Sequence, residues 1–179
     1  MLSHLLCSLL LLLSPHLVSV TETFKPTFFA RIVVEKPTLV KGDSTLVSII
    51  LYSDGAFTEA RCSNGELKLK NCSVRRIGNP RHRRTGQAIL GNHRYNTLVW
   101  AQYVVASGKT GRIKIPPQKF KATLRYLQSD PSLPIDPWGR NAVYKDFTVK
   151  CSTKASVILY TEKPKKDTET LIRSGAHTI

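Results

Sequence analysis

The 179-residue sequence predicts an all-β fold, an antiparallel sandwich behind an N-terminal export signal. Three observations predict it. Short runs rich in Val, Ile and Leu recur along the chain. Clusters of Gly, Pro and Asn separate them at short, regular spacing. No segment sustains a 3.6-residue apolar period, so long amphipathic helices are not expected. About eight short strands at this spacing suit a sandwich, with a small barrel as the competing closure. Hydrophobic residues make up 41% of the chain, enough for one core, and one domain plus a short appendage fits the length. A single long apolar run argues against a multi-span membrane protein.

Residues 1–20 contain no Lys, Arg, Asp or Glu. Leu9 to Leu13 form an unbroken leucine run, interrupted at Pro15 and His16. That run is short for a spanning helix, which needs roughly 20 apolar residues. It suits the apolar region of a secretory signal, with cleavage after Ser19 or Val20; an uncleaved anchor is the alternative. The expected domain is then 21–162, followed from residue 163 by a polar tail with no apolar face.

Within the domain, Phe28 to Glu35 reads as a strand, followed by Pro37 and a Lys41-Gly42-Asp43 turn. Ser44 to Tyr52 has the composition of a core strand and ends at Asp54-Gly55. Phe57 to Cys62 and Glu66 to Val74 flank Asn64-Gly65, a strong two-residue turn signal, and are expected to pair as a hairpin. Residues 78–86 form a basic loop around Pro80. Gln87 to Leu90 and Thr97 to Ala106 are joined across Gly91-Asn92. Arg112 to Ile115, Lys119 to Leu127, Val143 to Cys151 and Ala155 to Tyr160 complete the strands. Gln128 to Asn141, with Pro131, Pro134 and Pro137, reads as a loop.

Signal removal takes Cys7 and leaves Cys62, Cys72 and Cys151, so at most one internal bridge forms. The hairpin register would hold Cys62 and Cys72 apart. Two outcomes stand: a bridge from Cys151 to one of them, or three buried free thiols.

Lys and Arg number 27 against 12 Asp and Glu, a formal net charge of +15. The densest positive segment holds Arg75, Arg76, Arg81, His82, Arg83 and Arg84. Guanidinium forks recognise carboxylates and phosphates. A solvated loop, an acidic partner surface or anionic polymer, and nucleic acid are the three readings. Nucleic acid is the weakest, because no stacking aromatics interleave the charge. Trp100 lies in an apolar strand and reads as core. Trp138, in the proline loop, reads either as an exposed contact or as a lid folded over the sandwich end. Catalytic signatures are absent: there is no G-x-S-x-G elbow, and no close C-x-x-C pair. His82, His93 and His177 lack the i, i+4 spacing of a helical zinc site. No cofactor or metal is expected.

Several motifs occur in an order that resembles the BatD/oxygen-tolerance family. They are Pro37, Val40, Gly42 and Asp43 after the first strand; the Phe57–Pro80 segment; and Tyr103-Val104-Val105 followed by Gly108-Lys109-Thr110-Gly111 and Ile113-x-Ile115-Pro116. Asp136-Pro137-Trp138-Gly139 and Lys150-Cys151-Ser152 complete the set. The resemblance spans roughly residues 28–165. It implies an Ig-like module, exported and facing the periplasm, without enzymatic activity. The implied partners are envelope or membrane proteins with von Willebrand A domains, in a system with a MoxR-type ATPase linked to aerotolerance or stress resistance. Members are typically longer, with further domains and a C-terminal membrane helix. The sequon at Asn71-Cys72-Ser73 is expected to be unused in the bacterial chain this implies. A secreted polyanion-binding protein or an uncharacterised hydrolase is the alternative function.

Overall fold

A computed structural model describes residues 24–163. The signal expected at 1–20, including Cys7, and the tail from residue 164 lie outside the described residues. Eleven strands and no helix occur among them. They are β1 (Phe28–Val34), β2 (Thr38–Val40), β3 (Ser44–Ser53), β4 (Ala56–Cys62), β5 (Ser73–Ile77), β6 (Thr85–Leu90), β7 (His93–Ala106), β8 (Gly111–Ile115), β9 (Lys119–Ser129), β10 (Ala142–Ser152) and β11 (Ser156–Thr161).

Three sheets form. The largest runs β1-β3-β7-β5, with β6 also on β7; the others are β10-β9-β4 and β2-β11-β8. Every pairing is antiparallel except β2 with β11, where Leu159 lies beside Thr38 in parallel. The fully antiparallel expectation is corrected there. β2 is only three residues long and follows Pro37, and its partner lies at the far end of the domain, so local pattern did not mark it.

One core joins the sheets. Val47, Ile49 and Leu51 of β3 and Ala101, Tyr103 and Val105 of β7 pack with Ile115 of β8, Phe120 of β9, and Ile158 and Tyr160 of β11. Alternation accounts for these residues, since one face of each strand turns inward. β3, central in its sheet, also buries Ser48 and Tyr52 on its other face. The Tyr160 hydroxyl donates to the Val105 carbonyl at 3.1 Å, satisfying the polar end of a buried ring. Sheets stacked on a shared core in this way are consistent with a β-sandwich.

The hairpin expected at Asn64-Gly65 is not formed. Gly65 does turn the chain, at φ +72°. But β4 pairs with β9, and the next strand, β5, pairs with β7 in a different sheet. Residues 63–72 carry the chain between sheets, and Glu66 to Lys70 are not a strand. Leu67, 5% exposed, fills the core instead, and its amide donates to the Tyr103 hydroxyl at 3.5 Å. An Asn-Gly pair specifies a turn and leaves the partner of the following segment open. Here burying Leu67 outweighed local pairing.

The three cysteines among the described residues, Cys62, Cys72 and Cys151, are free thiols. A bridge from Cys151 to Cys62 is excluded by register. Both residues lie directly across from Phe120, one on each side. Two strand spacings put their Cα atoms roughly 9–10 Å apart, outside disulfide span. Burial pushes the Cys151 thiol up to about 11 and raises that of Cys72.

Candidate functional site: an arginine-lined notch on β7

β7 is 14 residues long and serves two neighbours along one edge. β5 occupies the stretch from Gln102 to Ala106, and β6 the stretch from His93 to Leu98. The chain between them loops out over residues 78–83, leaving a gap at Trp100–Ala101, and the Val99 amide still donates to the Arg84 carbonyl at 2.9 Å. On the opposite edge β3 steps from Ala101 to Val99, so Trp100 is the extra residue of a bulge. Gap and bulge coincide, and Trp100 is half-buried at the sheet margin.

Arg83 closes the gap. Its guanidinium carbon lies 3.6 Å from the centre of the Trp100 ring, and its Nε donates to the Trp100 carbonyl at 3.3 Å. The indole also meets Phe120 of the facing sheet edge-on, with ring centres 5.5 Å apart. Trp100 thus links the arginine loop to the core. Burial, then the charge of Arg76, lowers the Arg83 pKa from its ordinary value. An arginine still keeps its charge at any working pH.

Two more arginines converge on the same shallow depression of about 50 Å³, with His82 and Asn79 on its rim. Arg84 Nη2 donates to Gln102 Oε1 at 2.6 Å, and Gln102 in turn donates to the Ser48 hydroxyl at 3.0 Å. Arg76 Nη1 lies 3.1 Å from Glu66 Oε1. Glu66, ten residues before Arg76 in the chain, thus neutralises part of the charge of this segment. The Arg81 amide donates to Asn79 Oδ1 at 2.9 Å, which turns the chain beside Pro80. Arg75 and Arg81 are exposed and do not line the depression.

Trp138 is elsewhere, on the loop between β9 and β10. Its side chain is 77% exposed, so the lid reading is overturned. The Trp138 and Arg140 amides both donate to Asp136 Oδ1 at 2.9 Å, and the Arg140 guanidinium reaches over the indole at 5.4 Å. Those hydrogen bonds from the Arg140 amide hold the Asp136 carboxyl below its usual range.

The six expected residues therefore fall into three groups. Arg76, Arg83 and Arg84 meet at the notch; Arg75 and Arg81 flank it in solvent; Trp138 stands on another sheet. Sequence reasoning missed Gln102, Glu66 and Asn79 as the groups that orient the arginines. Asn79 carried a signal, an Asn-Pro turn; Gln102 is brought in by strand pairing and Glu66 by the segment that crosses between sheets, and neither carried one. Among the described residues, no three His, Cys, Asp or Glu side chains converge as a metal site requires. The notch offers fixed guanidiniums with two free neighbours, a surface chemically suited to carboxylates or phosphates. Comparisons with protein-family models, curated proteins and solved structures found no match to this chain.

Proposed function

We propose that this chain is a non-enzymatic interaction module, an Ig-like sandwich exported to the cell envelope, which docks an acidic surface through the β5–β6 edge. The observation that carries the reading is the arrangement of that edge. Arg83 is used structurally, while Arg75 on β5, and Arg81 and Arg84 beside it on the segment that Arg83 pins, present charge outward. Arg84, held by Gln102 at 2.6 Å, loses little side-chain freedom on binding, and Arg75 and Arg81 add positive field beside it. The ordered motifs that resemble those of the BatD/oxygen-tolerance proteins supply the context: partners with von Willebrand A domains in a membrane-associated complex. Free binding of an anionic polymer is the second reading, favoured by the net charge of +15.

Both readings meet one experiment. Arg75, Arg81 and Arg84 are changed to Gln together, with Arg83 kept. Capture of A-domain proteins from solubilised envelope is then measured across a salt series, beside binding to polyphosphate. Three exposed charge contacts at about 0.5 kcal/mol each amount to roughly tenfold in affinity. Loss of A-domain protein capture with the fold intact is the expected result. Capture unaffected by both the substitutions and salt refutes the edge as the docking surface. Loss confined to polyphosphate selects the second reading.

A further inference from the structure

Five of the nine large hydrophobic side chains exposed among the described residues lie between positions 127 and 144. Ile135, Trp138 and Tyr144 are 72%, 77% and 66% exposed, with Leu127 and Leu133 beside them. Leu127 and Tyr144 are cross-strand partners on β9 and β10. The β4 strand begins at Ala56, opposite Arg125, so the β9–β10 hairpin runs on past its sheet neighbour as an arm. Clustering of this kind marks an interaction surface more than scattered exposure does.

The arm's carboxylates each have partners within the arm. Asp136 accepts from the amides of Trp138 and Arg140 and pairs with the Arg140 side chain at 3.0 Å. Asp130 accepts from the Ser132 amide and hydroxyl at 3.1 and 2.6 Å. Asp146 takes both guanidinium contacts of Arg125, at 2.7 and 2.8 Å. Behind the apolar tip, on the same outward sheet face, Lys121 pairs across with Lys150, and Lys119 follows. Ordered from the tip, the face runs apolar, then aromatic, then ion-paired, then cationic.

We propose that this arm docks the protein on an anionic lipid bilayer, with Ile135 and Trp138 entering the interface and the lysine-bearing face lying on the headgroups. Charge complementarity commits the proposal to a bilayer. Asp136 and Asp146 are paired with arginines and Asp130 is hydrogen-bonded to Ser132, whereas Lys119, Lys121 and Lys150 have no carboxylate partner among the described residues. Trp and Tyr favour the boundary between acyl chains and water. Interfacial binding needs this pairing of buried apolar area with electrostatic attraction to anionic lipid. The proposal goes beyond the arginine edge and requires nothing of it.

The test is co-sedimentation of the protein, as exported, with vesicles of phosphatidylglycerol and phosphatidylethanolamine, and with phosphatidylcholine vesicles. Binding to the anionic vesicles is expected to exceed binding to phosphatidylcholine at least tenfold, with a blue shift in tryptophan emission that Trp138→Phe removes. The double variant Ile135→Ser/Trp138→Ser is expected to lower anionic binding at least tenfold without shifting the melting temperature. Lys121→Gln/Lys150→Gln is expected to lower it several-fold and flatten its salt dependence. Ile89→Ser, equally apolar and exposed on β6, is expected to change nothing. Equal binding to both vesicle types, or binding unchanged by the tip variant, overturns the proposal. So does loss of protein-partner capture by the tip variant with vesicle binding intact, which would assign the tip to an apolar protein pocket. None of these outcomes depends on capture by the arginine edge.

Discussion

The segments 78–84 and 130–141 are both proline-bearing connections, and each brings an arginine against a tryptophan, Trp100 of β7 in one case and Trp138 of the loop itself in the other, yet they stand in opposite relations to the core. In the first, Arg83 covers Trp100 at 3.6 Å, and the indole reaches Phe120 inside the fold. In the second, Arg140 approaches Trp138 at 5.4 Å, and the indole remains 77% exposed. The difference comes from what each loop spans. The first bridges two strands on the same edge of β7, so its side chains fall onto an open stretch of backbone. The second closes a hairpin that has outrun its neighbour, so its side chains have no strand to fall on. The same two residue types thus become an anchor in one place and a protrusion in the other.

The largest effect that tests this contrast is truncation of each indole. Trp100→Ala is expected to cost about 3 kcal/mol, the low end for a large aromatic because the ring is half-buried. For a domain of this size that lowers the melting temperature by roughly 10 °C. Trp138→Ala is expected to stay within about 0.5 kcal/mol of the parent. Equal losses in thermal melts would break the comparison.

A smaller effect separates two arginines of one loop. Arg83→Gln removes a cation–π contact and a hydrogen bond to the bulged strand, and about 1–2 kcal/mol is expected to be lost. Arg83→Lys is expected to recover little, because an ammonium cannot lie flat on the indole while donating to the Trp100 carbonyl. Arg81→Gln is expected to be near neutral. Denaturant midpoints at constant m-value make the measurement.

The smallest effect is one of pH. Hydrogen bonds from the Arg140 amide depress the Asp136 carboxyl, and those from the Ser132 side chain depress Asp130. A depressed folded value means that the stabilisation is present above the unfolded value, near pH 4, and is lost as pH falls through the folded one. Protection of the 130–141 amides, relative to their intrinsic exchange rates, is expected to fall below about pH 4, while protection at the notch, held by the Arg83–Trp100 and Arg84–Gln102 contacts, lags behind. Asp136→Asn is expected to weaken that dependence. Simultaneous loosening of both loops would show that the arm has no local transition of its own.

Strand positions were legible because alternation and turn residues act locally: β1, β3, β4 and β7 to β11 fall where the apolar runs and the Gly, Pro and Asn signals place them. The hairpin across Gly91-Asn92 is correct, with Gly91 at φ +61°. Partnerships were less legible. The expectation at Asn64-Gly65 failed because Leu67 and Leu69 alternate as a strand would, yet their burial is satisfied by crossing between sheets. At the candidate site, the density of arginine was visible in the sequence. Its division into anchor, paired and free residues depended on β7, whose gap and bulge arise from its pairing with β3, β5 and β6 together.

β7 acts as a common ruler for β5 and β6. Each takes its alignment from its own stretch of that strand, so neither register depends on the length of chain between them. The segment around Asn79 and Arg81 is therefore a natural splice point, where added residues would lengthen the loop while leaving both flanking strands in place. Arg83 marks its boundary: extra chain before it enlarges the surface offered to a partner, whereas extra chain after it would pull the guanidinium off the indole and open the sheet margin to water.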